Sequence, residues 1–118
     1  MRRPDLVVSS AGLGALVGNP AHPVAREVAA EKGIALEGHV ARQFVTSLAI
    51  EQDLILAMEP AHRREIGAIV PQVTGRTLLF DQWTGAKGIV DPYRRSRELH
   101  EIVFRLISAA AEEWAKRI

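Results

Sequence analysis

The feature that most constrains the fold of this chain is a pair of short apolar runs separated by a helical segment. The run Asp53–Met58 is apolar after its first residue, which is typical of a parallel strand covered on both faces. Thr77–Phe80 has the same character. Between the two runs, Pro60 begins a helical segment that ends near Val70, before Pro71. This order predicts a parallel sheet with a right-handed crossover, in which the loops after the strands carry function.

Shorter signals in the first half of the chain extend this alternation. Leu6–Ser9 is a candidate strand, stopped by the glycines that follow it. Pro23 is suited to the first position of a helix that runs to Lys32, and Gly33 is suited to its C-terminal cap. Thr46 is a candidate cap for a second, short helix. Together these elements predict an α/β fold, a small parallel sheet flanked by helices, as a single domain over residues 1–118.

The last helix has the clearest pattern. Ser96 is suited to its N-cap, and apolar residues follow at three- and four-residue steps. This stripe consists of Leu99, Ile102, Val103, Leu106, Ile107, Ala110 and Trp114. We expect it to face the core.

Composition narrows the functional classes. Fifteen basic and fourteen acidic side chains give a net charge of +1, so the chain lacks the excess of positive charge that is typical of proteins that bind nucleic acid. No stretch reaches the roughly 18 apolar residues that span a bilayer, so we expect no membrane span and a cytoplasmic location. The chain has no cysteine, which excludes disulfides, thiolate metal sites and a cysteine nucleophile within these residues.

Five segments, in order, carry a family resemblance. They are Ser9–Gly18 (SSAGLGALVG), Leu36–Gln43 (LEGHVARQ), Asp53–Leu56 (DLIL), Met58–Glu59 and Asp91–Glu98 (DPYRRSRE). Through them the chain resembles the bacterial low-molecular-weight protein tyrosine phosphatases, in particular the subgroup associated with exopolysaccharide production. The resemblance implies hydrolysis of phosphotyrosine on proteins, with a bacterial tyrosine kinase as a candidate partner, and no cofactor.

The resemblance also implies roles for single residues. Asp91 matches the general acid that protonates the leaving tyrosine oxygen and later activates water. Tyr93 and Leu16 match the rim of the substrate pocket. Ser10 and His39 match positions whose hydrogen bonds support the phosphate-binding loop.

That loop, the Cys-x5-Arg segment of the family, has no counterpart in this chain. In the family it supplies the nucleophile and the phosphate site, and it follows the first, central strand of the sheet. The resemblance therefore implies an N-terminally truncated domain that is inactive by itself, and it leaves two hypotheses. Either Met1 is not the true start, or the chain is a fragment, and the longer protein is active; or the short chain is a non-catalytic interaction protein. The second hypothesis includes a homodimer that exchanges strands.

The four histidines have two interpretations. His39 is a candidate metal ligand, with His22, His62 and His100 as candidate partners. No pair has the helical zinc spacing, which favours a structural, hydrogen-bonded His39 and no metal site.

The Asp91 segment also has an ordinary structural interpretation. Without the resemblance, Asp91-Pro92 is simply a turn. Arg94, Arg95 and Arg97 are candidates for binding phosphate or an acidic partner, although such a cluster more often forms a solvated face.

Overall fold

A computed structural model of the protein describes residues 6–14, 17–36, 38–93 and 95–118. Its elements, in chain order, are α1 (Pro23–Glu31), α2 (Thr46–Ile50), β1 (Ile55–Ala57), α3 (Pro60–Ile69), a 3₁₀ helix (Pro71–Arg76), β2 (Thr77–Leu79) and α4 (Arg97–Ala115). Within these described ranges, no helix has the length and apolar character needed to cross a membrane.

The two strands form the predicted parallel sheet. Ile55 lies opposite Thr77, and Ala57 lies opposite Leu79. Each strand is shorter than its apolar run, and the carbonyl groups directly after the strands are bonded by other parts of the chain. The Phe80 carbonyl accepts a hydrogen bond from the Trp114 indole N–H at 2.7 Å. The Met58 carbonyl accepts a hydrogen bond from the Ile89 N–H at 2.8 Å, instead of one from a strand.

The predicted strand Leu6–Ser9 is wrong. These residues have no regular secondary structure, and Val7 and Val8 are 89% and 81% exposed. A short apolar run becomes a strand only when a neighbour pairs with its backbone. Among the described residues, this region contributes only an isolated bridge between Gly12 and Gln43.

The first helices follow the proline and glycine signals. Pro23 is the first residue of α1, and Gly33 beyond its end has a φ of +82°, the left-handed conformation that glycine tolerates. The expected cap at Thr46 is wrong, because Thr46 is already helical. The cap position belongs to the extended Val45, which has no side-chain cap bond.

Helix α4 begins as predicted, and its stripe is narrower than predicted. The Ser96 hydroxyl accepts a hydrogen bond from the Leu99 N–H at 3.2 Å. Val103 and Trp114 are buried, whereas Ile102 and Leu106 are each 45% exposed, so these two do not face the core. The helix packs against its neighbours along one narrow face, and the flanks of a wide apolar stripe therefore stay in solvent.

The core has two clusters of buried residues. The first joins α2, β1, α3 and the 3₁₀ helix through Ala49, Ala57, Ile66, Val70 and Val73. The second joins the loop before α4 to that helix through Ile89, Val103 and Ala110. The loop between β2 and α4 is therefore part of the core, and it carries the candidate site.

Candidate functional site

Asp81 organises the first part of this loop. Its side chain is buried, and its Oδ2 atom accepts hydrogen bonds from the Lys87 N–H at 3.1 Å and the Gly88 N–H at 3.0 Å. Bonds from backbone N–H groups to a carboxylate are among the stronger protein hydrogen bonds. They close residues 81–88 into a fixed turn.

Gly88 and Ile89 then fasten the loop to the end of β1. Gly88 has a φ of +96°, and an added Cβ would lie 2.9 Å from Cδ of Pro60. Only glycine fits both the conformation and the space. Ile89 is 2% exposed, and its bond to Met58 fixes the backbone two residues before Asp91.

The Asp91 carboxylate stands at the surface in a tight turn. Its Oδ1 atom accepts a hydrogen bond from the Tyr93 N–H at 2.9 Å. Asp91 is exposed, and the Tyr93 side chain is 40% exposed beside it. The turn predicted from Asp91-Pro92 is therefore present, and it presents a carboxylate and an aromatic ring side by side.

Asp91 and Tyr93 line a groove between α1 and α4. The groove has a volume of about 880 Å³, and His39 lines it as well. Most of its wall is apolar, and includes Val28, Ile34, Val103, Phe104 and Ile107. The site is thus a carboxylate, a phenol and an imidazole at one apolar cleft.

Two further histidines lie against the Asp91 segment. The rings of His22 and His100 are stacked, with centroids 5.5 Å apart and an interplanar angle of 20°. The His22 ring also meets the Tyr93 ring edge to face, with centroids 5.4 Å apart. The Nδ1 atom of His22 accepts a hydrogen bond from the Val24 N–H at 3.2 Å, so His22 is the N-cap of α1.

The environment of His100 favours its neutral form. Burial lowers the pKa of His100, and the nearby His22 lowers it further, while Asp91 and the polar backbone of Pro92 act in the opposite direction. His100 is 4% exposed. Its Nε2 atom is buried and has no hydrogen-bond partner within the part of the chain that the structure describes.

Of the residues implied by the resemblance, Asp91, Tyr93 and His39 meet at the groove. His39 is exposed, and its N–H donates to the Leu36 carbonyl at 3.1 Å. Ser10 does not line the groove; its carbonyl oxygen accepts hydrogen bonds from Nε and a terminal nitrogen of Arg42 at 3.3 and 3.2 Å.

Two of the residues named from sequence cannot be assigned a structural position. Leu16 and Arg94 lie outside the described residues. Their implied roles stay predictions.

The arginine and metal interpretations give separate results. Arg97 pairs with Glu27, Glu31 and Glu101, and the Glu31 contact raises the pKa of Arg97. This arginine therefore joins α4 to α1.

Over residues 6–14, 17–36, 38–93 and 95–118, no three histidine, aspartate, glutamate or cysteine side chains converge on a point that would hold a metal ion.

The stacked histidines were missed as parts of the site, although the sequence held a signal for one of them. His100 precedes Val103, Ile107, Ala110 and Trp114 at helical steps, so it falls on the buried face of α4. A titratable residue on such a face indicates a specific partner. Nothing in the sequence indicates that this partner is His22.

Comparison with known proteins gives a consistent result. The family model described as "Low molecular weight phosphotyrosine protein phosphatase" matches residues 3–118. The low molecular weight protein-tyrosine-phosphatase Etp of Escherichia coli K12 is 46% identical over 117 residues, which cover 99% of this chain and 79% of that protein. The probable low molecular weight protein-tyrosine-phosphatase AmsI of Erwinia amylovora is 39% identical over 115 residues, covering 98% of this chain and 80% of that protein.

Solved structures show the same fold. Wzb of Vibrio vulnificus, in complex with benzylphosphonate, superposes with a TM-score of 0.92 at 42% identity, covering 98% of this chain and 82% of that one. The tyrosine phosphatase AmsI of Erwinia amylovora superposes with a TM-score of 0.88 at 40% identity, covering 92% of this chain and 72% of that one.

Proposed function

The chain belongs to the low molecular weight phosphotyrosine protein phosphatase family, and we propose that it forms one domain that serves the hydrolysis of phosphotyrosine on proteins in the cytoplasm. We further propose that the substrate is a bacterial tyrosine kinase that controls exopolysaccharide synthesis. That part rests on the likeness of the sequence segments to one subgroup of the family.

The observation that carries the proposal is the position of Asp91. The family match extends across residues 3–118, and within it the Asp91 carboxylate stands exposed at an apolar cleft with the Tyr93 ring beside it. An aromatic ring at a cleft edge suits the phenyl ring of a phosphotyrosine. A carboxyl group next to that ring is suited to proton transfer at the phenolic oxygen.

The proposed chemistry assigns two proton transfers to Asp91. In the family a cysteine thiolate attacks phosphorus as the bond between phosphorus and the phenolic oxygen breaks, the carboxyl proton passes to that oxygen, and tyrosine leaves neutral. The carboxylate then takes a proton from water as the water attacks the phosphocysteine, which releases phosphate and the thiolate. The 118 residues contain no cysteine to serve as this nucleophile. We therefore propose that this chain alone does not hydrolyse phosphotyrosine.

Hydrolysis of p-nitrophenyl phosphate tests the inactive state. We expect the 118-residue chain and its Asp91→Ala variant to release p-nitrophenol at the buffer rate. Turnover by the chain that the Asp91→Ala change abolishes would contradict the proposed inactivity.

A chimaera tests the role of Asp91. The leading segment of the Escherichia coli Etp relative, with its Cys-x5-Arg loop, is joined ahead of Met1 to supply the nucleophile. We expect turnover, and we expect Asp91→Ala to lower kcat by roughly 10²–10⁴-fold, the usual contribution of a general acid. Asp53→Ala is the matched control, because Asp53 is exposed just before β1 and away from the groove. Equal rates for the two variants would remove Asp91 from the mechanism.

The lack of a cysteine, together with the exposure of Val7 and Val8, favours a second candidate function. In it the chain is a non-catalytic interaction protein of this family, and these apolar side chains are covered by a partner or by a second copy. Light scattering on the purified chain tests the second copy. A stable monomer at all concentrations would exclude the homodimer.

A further inference from the structure

We propose that His22 and His100 are positioning residues that together hold the Asp91–Tyr93 segment at the groove. The inference rests on the proposed function in one respect, since the positioned group is the general acid. The contacts themselves come from two different helices, and they act through the His22 ring on Tyr93, two residues after Asp91 in the chain.

His100 supports the His22 ring from α4. The two rings are stacked, with centroids 5.5 Å apart, and His100 also lies near Asp91 and the Pro92 backbone. The Pro92 carbonyl accepts a hydrogen bond from the Arg95 N–H at 2.8 Å, which closes the turn after Asp91. His100 is buried within α4, which makes it a rigid support for the His22 ring.

His22 holds the next residue. The edge-to-face contact with Tyr93 and the stack on His100 place the His22 ring between the two. The bond from the Val24 N–H to Nδ1 fixes the orientation of that ring at the start of α1. Tyr93 is therefore held from α1 by the His22 ring, and that ring is supported from α4 by His100.

The arrangement requires neutral rings. A protonated His22 carries a proton on Nδ1 and loses its acceptor for the Val24 N–H, and two stacked imidazolium rings repel each other. Three groups face His100: His22 from the start of α1, and Asp91 and Pro92 from the loop. The Tyr93 ring contacts the His22 ring of this histidine pair. Arg26 and His39 line the same groove. Acidification should therefore release the Asp91 segment.

Proton NMR of the 118-residue chain tests the positioning without any use of turnover. The readout is the nuclear Overhauser contact between the Tyr93 and His22 rings. His100→Ala removes the ring on which His22 stacks, and we expect loss of that contact. His100→Phe keeps an aromatic ring at this position, and we expect it to retain the contact. His62→Asn, on the surface of α3, is the matched control and should leave it unchanged.

The indole N–H resonance of Trp114, which reports the bond to the Phe80 carbonyl, shows that each variant is folded. In the unsubstituted chain, the chemical shifts of the Tyr93 ring protons should change with pH together with the chemical shift of the His100 Cε1 proton. A folded His100→Ala variant that keeps the contact overturns the proposal, as does a Tyr93 shift that does not follow His100. If His100→Ala unfolds, His100→Leu, which fills the space without an aromatic ring, replaces it and should also lose the contact. If Asp91→Ala has no effect on the chimaera, Asp91 is not a general acid, but the NMR result on the ring contacts is unaffected. Failure of the proposed function and failure of this inference are therefore distinguishable.

Discussion

Residues 46–118 and the described residues before them are held together by different means. The later region has both core clusters, and its loop from Asp81 is fixed by backbone bonds to the end of β1. The earlier region leaves apolar side chains in solvent, among them Val7, Val8, Val17, Ile34 and Val40. Its one helix, α1, packs against α4.

The candidate site lies where these two regions meet. Asp91 extends from a loop anchored in the well-packed region, and His22 approaches it from the sparsely packed one. The position of Asp91 therefore depends on both: the core determines where the loop is, and α1 determines how its tip is held. Substitutions in the well-packed region should therefore change the stability of the whole chain, and substitutions near α1 should change mainly the local order of the site.

The largest effect is expected in the well-packed region, from Trp114→Ala. Trp114 is 6% exposed, contacts the Trp83 ring at 5.7 Å between centroids and donates to the Phe80 carbonyl at 2.7 Å. Its loss should lower the free energy of unfolding by about 3–5 kcal/mol, as measured by urea denaturation. That is a large share of the roughly 5–15 kcal/mol of a typical domain.

The control for Trp114 is Trp83, whose ring meets it edge to face. Trp83 is 47% exposed, with the Arg117 guanidinium 4.3 Å from its ring centroid. Trp83→Ala should cost only about 1 kcal/mol. Equal costs would mean that the indole pair, and not the burial of Trp114, holds the end of α4.

The second effect concerns the loop anchor, and Gly88→Ala tests it. The left-handed φ of +96° and the 2.9 Å approach of Cβ to Pro60 should lower the free energy of unfolding by about 1–3 kcal/mol. Gly75→Ala is the matched control, because a Cβ at Gly75 meets no atom within 4 Å, and its cost should stay within about 0.5 kcal/mol. A neutral Gly88→Ala would show that the loop is not fixed against the end of β1.

The third effect is the pH dependence that His100 introduces. Its pKa is lowered in the folded state, so below its ordinary value of about 6.5 the unfolded chain binds more protons than the folded one. Stability is therefore full above about pH 6.5 and falls as the pH is lowered through that value toward the folded pKa. His100→Phe should reduce this slope in urea midpoints measured between pH 7.5 and pH 5, a range chosen to bracket the usual histidine pKa. An unchanged slope would assign the acid sensitivity to other groups.

The smallest effect is expected from Arg97→Met. The Arg97 guanidinium bridges from α4 to Glu27 and Glu31 of α1 at the surface, where ion pairs are weak and screened by salt. The urea midpoint should fall slightly at low salt and not at 1 M salt. Arg64→Met, on the exposed side of α3, is the control. A large loss at high salt would mean that α1 depends on this arginine far more than a surface ion pair allows.

Local signals in the sequence predicted much of the fold. Pro23, Pro60 and Ser96 mark helix starts through properties of their own backbone or side chain, and Gly33 marks a helix end in the same way. The same signals failed where the outcome depended on a neighbour. Leu6–Ser9 has the composition of a strand and no paired partner among the described residues.

The sequence by itself determined the parallel α/β arrangement, the family and the place of Asp91 in a turn, because each depends on residues close together in the chain. Only the tertiary structure decided what surrounds Asp91. The stack of His22 on His100 joins the start of α1 to α4, and the bond from Ile89 to Met58 joins the loop before α4 to the end of β1. Such contacts depend on the geometry of packed elements, which no local pattern encodes.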